Sequence, residues 1–135
     1  MRGNVFAASR VALGLMALAG CSSSKTQCDC VDRAIFVRVP PERAPSVIDV
    51  TPSGTACPMS KPTCVEGEAS ACLRWRVGPT ASGFCHVDVD FAMGAPRFSA
   101  DARVVPGSGC CGGLVTDPPS AADIDVPSAS DGGVG

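Results

Sequence analysis

His86, Asp88, Asp90 and Asp101 are the residues of this 135-residue chain whose types and spacing come closest to acid–base chemistry. His86 is the only histidine, and it alternates with Asp88 and Asp90 in a run (FCHVDVDF, residues 84–91) that reads as a strand. Alternate residues of a strand share a face, so the imidazole and two carboxylates should emerge side by side. A His–Asp pair can orient a base, but hydrolysis also needs a nucleophile. Ser99 falls on the same face of the following run, without the sharp elbow or oxyanion loop that activates a serine. Asp88 and Asp90 offer oxygens to calcium, yet that ion takes about six to eight oxygens from a flexible loop, and a strand supplies few. Asp123, Asp125 and Asp131 lack the spacing of a calcium-binding loop. The expectation is a solvated strand face laced by charge pairs, with no catalytic, metal or cofactor-binding residue.

Cysteine chemistry is the second possibility, because nine cysteines occur in the chain. Cys28-x-Cys30 and Cys110-Cys111 do not have the knuckle spacing of structural zinc sites, and no C-x-x-C pair suggests dithiol exchange. Cys28, Cys30, Cys57, Cys64, Cys72, Cys85, Cys110 and Cys111 instead form an even set suited to disulfides. Cys28 and Cys30 are too close for a comfortable mutual bridge, and Cys110–Cys111 would close a strained ring. The members of each of these pairs are therefore expected to reach different partners, with Cys57, Cys64, Cys72 and Cys85 as the natural complement.

The ninth cysteine, Cys21, ends the stretch Leu18-Ala19-Gly20-Cys21. Arg2 and Arg10 precede an uncharged apolar run, residues 11–19 (VALGLMALA). That run suits the apolar segment of a signal peptide and is too short for the roughly 20 residues of a spanning helix. The Leu-Ala-Gly-Cys sequence resembles the lipobox of bacterial lipoproteins. The resemblance implies cleavage before Cys21, a diacylglyceryl group on its sulfur, and acylation of the new amine, palmitate being a typical chain. Several acyl chains hold a protein stably, at about 0.8 kcal/mol per buried methylene, where one chain is marginal. Ser22, rather than an aspartate, implies export to the outer membrane of a two-membrane cell, facing the periplasm or the exterior. An exported chain meets the oxidising conditions in which disulfides persist.

Without residues 1–20 the chain retains nine of eleven basic residues and all thirteen acidic ones, a formal charge of −4. It has no run of Lys and Arg, which argues against nucleic acid as a partner. Residues 22–27 (SSSKTQ) are a polar tether reaching only about 20 Å.

The elements that must position the polar groups are short strands. Residues 33–39 alternate, with Ile35, Val37 and Val39 on one face and Phe36 and Arg38 on the other. Residues 47–51 form a shorter candidate. Residues 55–71, rich in Pro and Cys, are expected to be a bridged loop with a helical turn near Glu66–Ala71. Residues 72–77 alternate again, placing Leu73, Trp75 and Val77 inward and Arg74 and Arg76 outward; Trp75 is thus a core residue rather than an exposed stacking platform. Residues 84–91 and 97–104 form a hairpin around Ala92-Met93-Gly94-Ala95-Pro96. One register sets Asp88 against Asp101. A register shifted by two sets Asp90 against Arg97 and His86 against Asp101, and the attraction of unlike charges selects it.

These signs predict an all-β fold, a small disulfide-stapled antiparallel β-sandwich or sheet. The expected organisation is a signal peptide over residues 1–20, a lipidated cysteine and tether over 21–27, a domain over 28–115, and a disordered acidic tail over 116–135. Residues 116–135 contain four Asp, no basic residue and no aromatic. The expected function is an envelope lipoprotein, held to the membrane by its lipid, that serves as a structural or protein-interaction module. The competing expectation is an envelope enzyme or metal/redox protein using His86 and the cysteines.

Overall fold

The computed structural model describes residues 33–58, 60–109 and 112–131. Two four-stranded sheets enclose one core. The first has the order β3-β4-β1-β8, and the second β2-β5-β6-β7. In chain order the strands are β1 (Ile35–Arg38), β2 (Val47–Ser53), β3 (Thr63–Glu68), β4 (Ala71–Val77), β5 (Gly83–Phe91), β6 (Phe98–Pro106), β7 (Leu114–Thr116) and β8 (Asp123–Asp125). The all-β expectation holds.

Alternation builds the core. Ile35, Val37 and Val77 point inward from the first sheet, and Val50, Val87, Val89, Ala102 and Val104 meet them from the second. β5 alternates without interruption, burying Cys85, Val87, Val89 and Phe91. Trp75 and Leu73 are partly buried against this core, as their spacing with Val77 predicts.

A core made largely of valine buries less apolar area per residue than one built on aromatics. Disulfides supplement it. Cys57 and Cys85, both fully buried, are joined across 28 residues with Cα atoms 5.2 Å apart. Cys64 and Cys72 join β3 to β4 across 8 residues, with Cα atoms 5.8 Å apart. The inner four cysteines therefore pair with one another, which corrects the expectation that they complement Cys28, Cys30, Cys110 and Cys111. The reason is the fold itself: β4 turns straight back on β3, and the turn after β2 returns the chain to β5. Gly54 makes that second return possible. Its φ is +91°, and a Cβ there would lie 2.5 Å from the Phe84 carbonyl oxygen.

Three further expectations need correction. The segment 55–71 is a strand in part, because Thr63–Glu68 pairs antiparallel with β4 and has no helical turn at Glu66–Ala71. Register shifts between Cys64 and Glu66 and between Glu66 and Gly67 erase the period-two pattern that would have revealed it. The acidic tail is folded at least to Val126. β7 pairs with β6, β8 pairs with β1, and Ile124 and Val126 are buried. Ile124 and Val126, spaced by two, anchor this segment, with Thr116 buried and Ala121 packed against the core. Finally, the β1–β8 ladder is parallel, so the sandwich is not wholly antiparallel.

Leu18–Cys21, the tether over 22–27, and Cys28, Cys30, Cys110 and Cys111 lie outside the described residues.

Candidate functional site

The outward face of β2, β5 and β6 collects the polar residues singled out by their alternation. The ladder pairs His86 with Asp101 and Asp88 with Ser99, the register that charge complementarity selects. On the other side of β5, Ser53, Thr51 and Asp49 lie opposite His86, Asp88 and Asp90. Three cross-strand rows result, each centred on β5.

His86 stands between two carboxylates. Its Nδ1 lies 2.7 Å from Asp101 Oδ1, and its Nε2 lies 3.1 Å from Asp88 Oδ1. A neutral imidazole carries one N–H and can satisfy only one carboxylate; the imidazolium donates to both. The hydrogen bond to Asp101, aided by the charges of Asp88 and Asp101, accordingly raises the His86 pKa against a smaller opposing effect of burial.

Asp88 is the hub. It accepts hydrogen bonds from Ser99 Oγ and His86, and Arg97 Nη1 approaches its second oxygen at 3.5 Å. The Ser99 hydroxyl is the largest cause of its lowered pKa, followed on the same side by the charges of His86 and Arg97. Arg97 grips Asp90 with two donors, Nε at 2.6 Å and Nη2 at 3.0 Å. Asp49, facing Asp90, is satisfied locally by the Val50 N–H at 2.9 Å and the Thr51 hydroxyl at 3.0 Å.

This arrangement has clear chemical consequences. Ser99 spends its proton on Asp88 rather than on His86, so serine, histidine and aspartate do not form a relay. Both ring nitrogens of His86 face carboxylate oxygens, which favours its charged form over the neutral one. Among the described residues, no group of three or more His, Cys, Asp or Glu is arranged to hold a metal ion.

No protein-family model, curated protein or solved structure matches this chain.

Sequence reasoning missed a second polar cluster, on the outward face of β4, β1 and β8. Arg38 Nη2 lies 3.1 Å from Asp123 Oδ1, and Arg74 Nη2 reaches the same oxygen at 3.7 Å. The Arg74 guanidinium also sits 3.9 Å from the centre of the Phe36 ring, a cation–π contact. The alternation in β1 and β4 placed these arginines outward, but their partner lay in the segment read as a tail.

Two concavities mark opposite ends of the sandwich. One, of about 360 Å³, is lined by Arg33, Arg76, Gly78, Pro79 and Leu114 among others. The other, of about 300 Å³, is lined by Arg43, Ala95, Pro96, Arg97, Phe98 and Pro127, with Ser128 and Ala129. Nothing in the local sequence pattern marks Arg43, which lies in the turn after β1 and stacks 3.8 Å from the centre of the Phe91 ring.

Proposed function

We propose that the protein is an envelope lipoprotein, anchored through acyl groups on Cys21, whose β-sandwich serves as a protein-interaction or structural module rather than as an enzyme. The observation that carries the non-enzymatic half is the saturation of the His86 face. The carboxylates of Asp88, Asp90 and Asp101 are all engaged by His86, Ser99 or Arg97, so the most reactive-looking residues are spent on one another. The anchoring half rests on Leu18-Ala19-Gly20-Cys21 and the charged, then apolar, segment before it. Two disulfides among the described residues of a domain with so few aromatics favour an oxidising compartment.

Mass spectrometry of the N-terminus of the protein recovered from its host tests the anchor. Thioether-linked diacylglycerol and an amide-linked acyl chain are expected on Cys21, and Cys21→Ala should move the protein from the membrane to the soluble fraction. A wild-type protein found soluble and unacylated would refute the localisation. The non-enzymatic half has its own test. His86→Gln should leave any activity measured for the purified protein unchanged, and its loss in a folded variant would overturn that half.

A further inference from the structure

The β5–β6 hairpin sets the long axis of the sandwich. Arg33, where the described chain begins, lies at the end formed by Gly78, Pro79 and Gly107, and its guanidinium donates to the Gly112 carbonyl. The loop at residues 92–97 lies at the other end of β5. Gly83 to Phe91 is eight residue steps, about 27 Å at ~3.4 Å per step. The loop therefore occupies the pole opposite Arg33.

That far pole is unusual in composition. Met93 is fully exposed (100%) at the tip of the loop, and Ile48, beside the Phe91 end of β5, is 68% exposed. Next to the loop opens the concavity of about 300 Å³, walled by Ala95, Pro96, Phe98, Pro127 and Ala129. Two guanidinium groups line it, and they differ. Arg97 is committed to Asp90 through two hydrogen bonds. Arg43 donates to the Pro127 carbonyl at 2.8 Å and rests on Phe91, but no carboxylate among the described residues pairs with it. Its guanidinium is thus held in direction and has no ion-pair partner among the described residues, at the edge of a largely apolar groove.

We infer that this groove is a docking site for an extended segment of a partner protein that presents an aliphatic side chain beside a carboxylate. The aliphatic group would fill the Ala95–Pro96–Phe98 wall, and the carboxylate would meet Arg43. A guanidinium already oriented by its own contacts loses little freedom on binding, and its planar fork suits a carboxylate. A neutral apolar ligand would cover Arg43 without compensating it, a costly burial. The inference rests on the interaction-module reading and names the surface and the chemistry of the partner.

Fluorescence anisotropy with two short labelled peptides tests it. Both carry a central leucine, followed by aspartate in one and asparagine in the other, with blocked termini so that no other carboxylate is present. The aspartate peptide should bind at least tenfold more tightly. Arg43→Gln should abolish that preference, and Arg43→Lys should restore part of it. Met93→Asp, a change at a fully exposed residue, should weaken the aspartate peptide without affecting the fold. Equal binding of the two peptides, no binding at millimolar concentration, or a preference for aspartate that survives Arg43→Gln would overturn the inference. A lack of acyl groups on Cys21 would instead sink the anchor and leave these results standing.

Discussion

In the β5–β6 hairpin, Gly83 to Val89 pairs without slippage against Val104 to Phe98, whereas the β3–β4 hairpin shifts register twice within six residues. The first hairpin buries one full face, carries a charge pattern on the other, and has no disulfide between its strands. The second has an edge strand, exposed at all but one position, and is pinned by Cys64–Cys72. A strand with a buried face cannot slip by one residue without exposing its core side chains. An edge strand with little to bury has no such penalty, so a covalent link must set its position. The two hairpins show that side-chain burial and cross-linking can substitute for each other in fixing register.

The largest effect in this comparison should come from the bridge that serves the well-ordered hairpin's core. Cys57–Cys85 closes a loop of 28 residues and is wholly buried. Loop-closure entropy assigns it roughly 3.5 kcal/mol, and the double variant Cys57→Ala/Cys85→Ala adds a small cavity to that loss. Its urea unfolding free energy should fall by about 4 kcal/mol. A loss below about 1 kcal/mol would show that burial alone holds β5 against the turn after β2.

Next comes Cys64–Cys72, whose separation of 8 residues corresponds to roughly 2.5 kcal/mol. The more telling readout is local. In Cys64→Ala/Cys72→Ala, amide exchange at Thr63–Glu68 should accelerate strongly, while protection at Val87 and Val89 changes only in proportion to global stability. Uniform acceleration across both hairpins would mean that the bridge acts on the whole fold and that β3 is not separately pinned.

The same contrast explains what could be read from the sequence. The partners of His86 and Arg97 were legible because burial fixed which face they occupied and unlike charges then selected one register. β3 was not legible, since register shifts between Cys64 and Glu66 and between Glu66 and Gly67 broke its alternation and its residues are mostly exposed. β8 was hidden differently. Asp123, Asp125 and three prolines gave the composition of a solvated tail, yet Ile124 and Val126 are buried where β8 pairs with β1. Asp123 then becomes the shared partner of Arg38 and Arg74, a role that composition cannot express because both arginines lie far away in the chain. Arg43 was equally invisible: its significance depends on Phe91 and Pro127, which only tertiary structure brings to it.

The smallest expected effect concerns the charges that select the β5–β6 register, and its pH dependence has a definite sign. The His86 pKa is raised in the folded protein, chiefly by Asp101, so its stabilising contribution is complete below its ordinary value near 6.5 and disappears as pH rises through the folded value. The Asp88 pKa is lowered, chiefly by Ser99, so its contribution is present above the ordinary value near 3.8 and is lost as pH falls through the folded one. The face is therefore tightest between about pH 4 and 6.5. Because His86 is 38% exposed, the contribution should be only about 0.5 kcal/mol or less. Urea midpoints of the wild type should decline slightly between pH 6 and 8.5, and that decline should vanish in His86→Gln. If the variant kept the full decline, His86 would not be its source. If the wild type gained stability over that range, the imidazolium would be unfavourable between its two carboxylates, and burial alone would set the register of both strands.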